Sequence, residues 1–511
     1  MTLRVWAAIA AFGLVAANAL PARGADAPTV RVTGGVVGGA LADDVRVFKN
    51  IPFAAPPVGP LRWKAPAPVV PWTGVRDGTA FGPECVQPGP PGGPAQSEDC
   101  LTLNVWAPAK PRNWPVIFWI YGGGFVTGSA SQPVYDGAAL AKRGVIVVTM
   151  NYRLNVLGFM AHPQLTAESP DHTSGNYGLL DQVAALQWVR ANIGAFGGDT
   201  HNVTIAGESA GAGSVSALLT MPLAKGLYAR AIMESPPVFR PELTLAQAEA
   251  QGAAIGPDIA ALRALPAAAL LSKMKVLDPD TRVTTALPTG PIVDGVVVPA
   301  DERTMYATKR VVPVPLIIGN NTDEGRFFIR GVPVKTLAQW SPYLAKRFGA
   351  RADEASRLYP ASDDASAMHA DAQIVGDGDI NWGARELARA MNALGAPVYR
   401  YVFAQARGGV QPAHSEELPF VFGAPTITLR DPLPPFTPDD QRVSDAVMTA
   451  WVQFATIGTP NGDGAATWPV FTARNDRFLT FGNASGTGST TAVGTGFRTD
   501  QLNFIGQTLR R

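Results

Sequence analysis

Charge is scarce in this chain: 16% of its 511 residues are Asp, Glu, Lys or Arg, and the formal net charge is +1. No basic field is available to draw in nucleic acid, and no run of like charge marks a solvated tail. Cysteine is scarcer still, with two residues, Cys85 and Cys100. Together with five scattered histidines they form no metal-ligand spacing, so no metal site is expected. Beyond the N-terminal segment there is no apolar run approaching the ~20 residues that a spanning helix needs.

What is present is apolar material for a large core, 46% of the chain. At ~150 residues per domain the length suggests roughly three domains. No Pro/Gly/Ser-rich linker divides it, so 26–511 is read as one domain. The segment before it reads as an export signal. Arg4 supplies a positive charge, Val5 to Leu20 is almost wholly apolar, and Ala17-Asn18-Ala19 offers a small-x-small cleavage site, with Ala22 and Ala25 as alternatives. A signal peptide over 1–25 places the mature protein in the periplasm or outside the cell. In an oxidising compartment two close cysteines predict one disulfide. It would close a loop of about 15 residues, a constraint of roughly 3 kcal/mol in the chain-entropy model.

Apolar runs alternate with helical patterns. Pro115 to Ile120, Gly144 to Met150, Val203 to Ala206, Tyr228 to Met233, Val314 to Ile318 and Pro397 to Phe403 read as strands. Gly178 to Ile193 and Ala210 to Leu219 carry apolar residues at helical spacing. This alternation predicts an α/β fold: a large, mostly parallel twisted sheet flanked by helices. Residues 241–277 and 336–395 read as helical insertions at the sheet's carboxyl edge, and Gly482 to Gly496 as a low-complexity surface loop.

Gly207-Glu208-Ser209-Ala210-Gly211 fits G-x-S-x-G. The pattern alone is weak, but here it follows an apolar strand and opens a small-residue helix, the setting a nucleophile elbow requires. Serine needs a base to take its proton. Of the five histidines only His369 and His414 follow Ser209. His369 reads as a helix-surface residue, whereas His414 sits in a loop after a strand, where a catalytic base belongs. An acid should lie between the two on another such loop. Asp323 and Glu324 both qualify, and the pattern does not choose between them. Tyr121-Gly122-Gly123-Gly124-Phe125 follows a further strand, and its open backbone N–H groups suit an oxyanion hole completed by Ala210.

Further motifs run in order along the chain: Phe48-Lys49-Asn50-Ile51-Pro52-Phe53-Ala54, Glu98-Asp99-Cys100-Leu101-Thr102-Leu103-Asn104-Val105, Asn151-Tyr152-Arg153, Gly175-Asn176-Tyr177-Gly178 and Phe196-Gly197-Gly198-Asp199. With them the chain resembles the type-B carboxylesterases, the family of cholinesterases and bacterial para-nitrobenzyl esterases, from about Val32 to Phe504. The resemblance implies an α/β-hydrolase fold and hydrolysis of small-molecule esters through an acyl-enzyme, without a cofactor. It implies Glu324, in the D-E-G segment, as the acid behind His414, and a bridge between Cys85 and Cys100. It also implies Glu208, Ser235 and Glu417 as a buried polar network behind the site.

Departures are informative. The loop Val86 to Asp99 holds no aromatic residue, so it offers no cation–π platform of the cholinesterase kind. Pro236 follows Ser235 where Gly is commoner, and Asn50 stands where the family has Gly. Phe125, Phe239, Phe327 and Phe328 are candidate pocket walls. Arg240, Arg326, Arg330 and Arg407 are candidates to meet a substrate carboxylate. Two other readings remain open: the same machinery acting on a thioester, lactone, carbamate or amide, and a catalytically silent binding module.

Overall fold

Runs of Val, Ile and Phe bounded by glycine and polar turns form strands buried on both faces. A computed structural model describes residues 27–90, 92–274, 289–329, 334–427, 433–488 and 490–509. Residues 1–25, read above as an export signal, and Arg330 lie outside the described residues. Among those described, an 11-stranded sheet runs in the order Thr491–Thr495, Arg477–Phe481, Val398–Phe403, Leu316–Asn321, Arg230–Glu234, Gly198–Glu208, Trp114–Ile120, Ile146–Met150, Thr102–Pro108, Val45–Pro52 and Ala40–Ala42. From Arg477–Phe481 to Ile146–Met150 every neighbouring pair is parallel. The outer pairs are antiparallel.

The central strands carry the core. Phe118, Ile205 and Ile317 are 0 to 2% exposed, and burial of each such side chain contributes ~1.5–3 kcal/mol. Helices Tyr177–Asn192, Ala210–Thr220, Trp382–Ala393 and Pro438–Ile457 pack against the sheet. The last is opened by a capping box, with the Thr437 hydroxyl accepting from the Asp440 N–H.

The insertions are helical as expected. Leu245–Ile255, Ile259–Ala264 and Ala267–Leu271 follow one another in the first, whose residues 275–277 lie outside the described set. Its helices enclose a small core of their own, with Trp63, Met160, Leu262 and Leu270. The second holds Leu337–Phe348, Ala352–Leu358, Asp364–Gly376 and Trp382–Ala393, with a π-helical turn at Asp377–Asn381.

Two expectations are corrected. The strand ending at the elbow begins at Gly198 rather than Val203, with an irregular register between those residues. Gly482 to Gly496 is not simply a loop. Its β-branched end, Thr491–Thr495, pairs antiparallel with Arg477–Phe481 and forms the sheet's edge.

Candidate active site

Each chemically capable side chain stands on a segment leaving the carboxyl end of a parallel strand, where open α/β sheets bind ligands. Ser209 follows Gly198–Glu208 and precedes Ala210–Thr220. Its backbone sits at φ 54° and ψ −126°, a strained conformation for a non-glycine residue. The strain is held by neighbours: the Ser209 N–H donates to the Glu234 carbonyl at 2.9 Å. The elbow glycines permit close approach, since a Cβ on Gly211 would lie 2.0 Å from the Ile120 carbonyl oxygen. Gly123, on the facing loop, has φ 105°, and a Cβ there would lie 2.1 Å from the Thr127 carbonyl oxygen. Bare backbone is thus required on both sides of Ser209.

His414 lies on the loop after Val398–Phe403. Its Nδ1 is 2.6 Å from Glu324 Oε2, and since a carboxylate only accepts, the imidazole donates. The second Glu324 oxygen accepts from the Ser235 hydroxyl at 2.5 Å and from the Asn321 N–H at 2.7 Å. Three donors therefore fix that carboxylate. Asp323, the other sequence candidate, turns away and pairs with Arg326 at 3.2 Å. His369 stands on helix Asp364–Gly376 beside Gln373.

Around the imidazole lies a group of buried carboxyls. Glu208 Oε1 is 3.1 Å from His414 Nε2 and accepts from the Ser415 hydroxyl at 2.6 Å. Glu417 accepts from the Asn321 amide. Burial first, then the charges of Glu208, Glu234 and Glu324, push the Glu417 carboxyl well above the usual range. Glu234 accepts from the Trp451 indole N–H at 2.8 Å. Burial, opposed by that hydrogen bond and reinforced by Glu208, raises it to about 8. Raised to about 8, Glu234 holds its proton at neutral pH, which limits the negative charge gathered in this cluster. Glu234, Ser415 and Asn321 were missed in the sequence. Glu234 and Ser415 adjoin singled-out residues, but nothing in the pattern marks them.

Ser209, Ala210, Gly123, Gly124 and His414 line one cavity of about 260 Å³. Phe125, Phe327 and Phe328 form part of its wall, and the last two pack on the imidazole with ring centroids 5.1 and 4.8 Å away. Phe239 does not join them. Its ring meets Tyr306 at 5.4 Å and Trp382 at 6.4 Å, and it lines a separate groove. At φ 59° the chain turns there, and the ring is directed to that groove. Of the arginines, Arg326 is engaged by Asp323 and Glu416. Arg407 stacks 4.9 Å from the Phe436 ring and donates to the Pro434 carbonyl. Arg240 lines the cavity itself. No group of His, Cys, Asp and Glu among the described residues could hold a metal ion.

Comparison with known proteins gives this geometry its context. The model of the carboxylesterase family matches residues 26–505. The chain belongs to the carboxylesterase family. It is 42% identical to the fumonisin B1 esterase of Sphingopyxis macrogoltabida over 94% of its length and 92% of the relative's. It is 37% identical to the para-nitrobenzyl esterase of Bacillus subtilis (strain 168), over 86% and 91% of the two chains. A solved structure of PNB esterase superposes with TM-score 0.79 at 34% identity, over 93% of this chain and 99% of that one. The fold of this carboxylesterase is accordingly the α/β-hydrolase fold, and the enzyme is a serine hydrolase of carboxylic esters. The bridge between Cys85 and Cys100 is present. No described helix is long and apolar enough to cross a membrane.

Proposed function

We propose that Ser209 is the nucleophile, His414 the general base, Glu324 its acid partner, and the N–H groups of Gly123, Gly124 and Ala210 the oxyanion hole. One observation carries this reading: a serine on a strained strand-to-helix turn shares a cavity with a histidine whose far nitrogen meets a buried glutamate at 2.6 Å. The Ser209 hydroxyl oxygen attacks the ester carbonyl carbon as His414 takes its proton. The N–H groups stabilise the charge on the carbonyl oxygen, at ~3 kcal/mol for each well-placed donor. The imidazolium then protonates the leaving alcohol. Water, deprotonated by the same histidine, attacks the acyl-enzyme, and the acid departs with Ser209 restored. Glu324 holds the ring orientation and stabilises the imidazolium. Ser235 holds Glu324 from behind, Glu417 ties down Asn321, whose N–H also donates to Glu324, and Glu208 stands at the other imidazole nitrogen.

The test is hydrolysis of para-nitrophenyl acetate, butyrate, octanoate and palmitate by wild type and by Ser209→Ala. The expected result is turnover on the short chains, with kcat lowered about 10⁴-fold or more in the variant. Undiminished turnover by folded Ser209→Ala removes the nucleophile assignment. If wild type turns over none of them, covalent labelling of Ser209 by an organophosphate separates an enzyme with another acyl substrate from a silent module. Fumonisin B1 belongs among the natural esters assayed, since a relative at 42% identity is named for it. We further infer export to the periplasm or beyond the cell, supported by the apolar N-terminal segment and the disulfide. Cell fractionation with N-terminal sequencing checks this, and an intact leader on a cytoplasmic protein contradicts it.

A further inference from the structure

The turn facing Ser209 keeps positive φ over three successive residues: 105° at Gly123, 65° at Gly124 and 62° at Phe125. Glycine adopts such angles freely. A bulky side chain does not, so Phe125 stays there only because its surroundings hold it. What the turn offers the chemistry depends on one peptide plane. The Gly123 carbonyl and the Gly124 N–H belong to the same trans peptide and point in opposite directions. That carbonyl accepts from the Val126 and Thr127 N–H groups, each at 3.1 Å. The direction of the Gly124 N–H is therefore set by where Val126 and Thr127 lie.

The hold on this part of the turn comes from Asn155, which begins the short helix Asn155–Phe159. Its N–H donates to the Phe125 carbonyl at 2.7 Å. Its side-chain amide donates to the Val86 carbonyl at 2.8 Å and, over a longer 3.4 Å, to the Val126 carbonyl. The amide oxygen accepts from the Leu157 N–H at 3.2 Å, so every polar atom of the side chain has a partner. Capping the helix needs only that oxygen. Both donors are directed to other loops, one of them the turn itself. The bond to Val86, next to the bridged Cys85, pins Asn155 in place and with it the N–H that holds Phe125. Asn155 is wholly buried, and its own φ of 52° is one that Asn tolerates better than most residues. From the same helix the Phe159 ring meets the Phe125 ring edge-on, with centroids 5.3 Å apart. One short element thus grips Phe125 by its carbonyl and by its ring.

We propose that Asn155 is a positioning residue for the oxyanion hole: by holding the Phe125 and Val126 carbonyls it keeps the turn closed and the Gly124 N–H aimed at the carbonyl oxygen of the substrate. The proposal rests on the assignment of Gly123, Gly124 and Ala210 as oxyanion donors. Asn155 acts through the turn. A hydrogen bond weakens steeply with misdirection, so rotation of this peptide costs more in the transition state than in the bound ester.

The test is Asn155→Gly, which keeps the backbone N–H and suits the positive φ while removing the side-chain clamp. With para-nitrophenyl butyrate, kcat is expected to fall about 10- to 100-fold with KM little changed. A pentyl trifluoromethyl ketone reads the hole directly. Ser209 adds to its carbonyl carbon, His414 takes the hydroxyl proton, and the resulting oxyanion sits where that of the ester would. Its Ki is expected to rise by the same factor, whereas that of methyl pentyl ketone, which binds without adding, stays as in wild type. Urea unfolding verifies that the variant is folded under assay conditions. A folded Asn155→Gly with kcat and fluoroketone Ki within about twofold of wild type overturns the proposal. An equal rise in Ki for both ketones also overturns it, since that marks a general loosening of the cavity. If Asn155→Gly does not fold, Asn155→Asp decides by the same readouts, since it keeps the shape and the cap on Leu157 but loses the amide donors. Should wild type bind the fluoroketone no better than the methyl ketone, or Ser209→Ala bind it as tightly as wild type, the Ser209 and oxyanion-hole reading itself fails.

Discussion

At the scale of single residues, Glu324 offers a sharp separation of geometry from charge. Glu324→Gln preserves the size of the group, and its carbonyl oxygen can accept from Ser235 and Asn321, now held at 2.5 and 2.7 Å. It removes the charge that stabilises the imidazolium and offers an amide donor where His414 needs an acceptor. The expected outcome is a kcat on para-nitrophenyl butyrate lowered about 10³- to 10⁴-fold with KM little changed. Stopped-flow kinetics should show acylation slowed. A loss below tenfold sinks Glu324 as the partner and turns attention to Glu208, 3.1 Å from the other ring nitrogen.

Much of this residue-level picture was legible in the chain. Ser209 and the three glycines announce themselves because their chemistry demands a local motif. His414 was reached by chain order and loop context. The choice of Glu324 over Asp323 needed the family resemblance, since neighbouring acids on one loop differ only in where each carboxylate points. Phe239 shows the reverse case. A phenylalanine near the site in sequence is aimed elsewhere by one positive φ, and no periodicity reports that.

At the scale of elements, the disulfide loop is coupled to the catalytic loops. Cys85 and Cys100 close a segment of sequence separation 15. Just beyond Cys85, Gln87 brackets Gly128, accepting from its N–H at 2.7 Å and donating to its carbonyl at 2.9 Å. Gly128 follows the Gly122–Gly124 turn, so slack in the disulfide loop reaches the oxyanion side of the cavity. Replacing both cysteines by serine is expected to lower stability by roughly 3 kcal/mol, read from urea unfolding midpoints. It should also lower kcat more than KM. An unchanged midpoint contradicts the structural role, and a lowered midpoint with unchanged kcat confines that role to stability. The helical insertions were readable as helices from their spacing. Their packing was not, because the π-helical turn that carries Asp379 depends on Arg498 and Tyr359, distant along the chain.

Across the whole molecule, the buried carboxyls set a pH dependence of stability. Glu234 is raised to about 8 when folded and returns to an ordinary value, near 4.5, when unfolded. Below both values it is protonated in each state and has no effect. Between them only the unfolded chain ionises, so stability declines as pH rises through that window. Above about 8 both states are charged and the loss is complete. Glu234→Gln keeps an acceptor for the Trp451 indole and removes the titration. Its urea midpoint relative to wild type is therefore expected to be higher at pH 8 than at pH 5. An offset equal at the two values contradicts the assignment. Glu417 is shifted in the same direction and partly by the Glu234 charge, so losing that charge in Glu234→Gln also lessens the Glu417 slope and adds to the offset.

The sequence by itself determined the strand–helix alternation, the elbow, the glycine loop and the pair of cysteines. These follow from local rules: apolar runs bury, glycine alone allows close backbone approach, and a nucleophilic serine needs a sharp turn before a helix. Only the tertiary structure decided which phenylalanines wall the cavity, that Glu234 and Glu417 share one buried cluster, and that Arg240 and Asp379 line the same cavity as Ser209. Those outcomes depend on side-chain direction and on residues far apart in the chain, where distance, burial and neighbouring charge exist only once the sheet has closed.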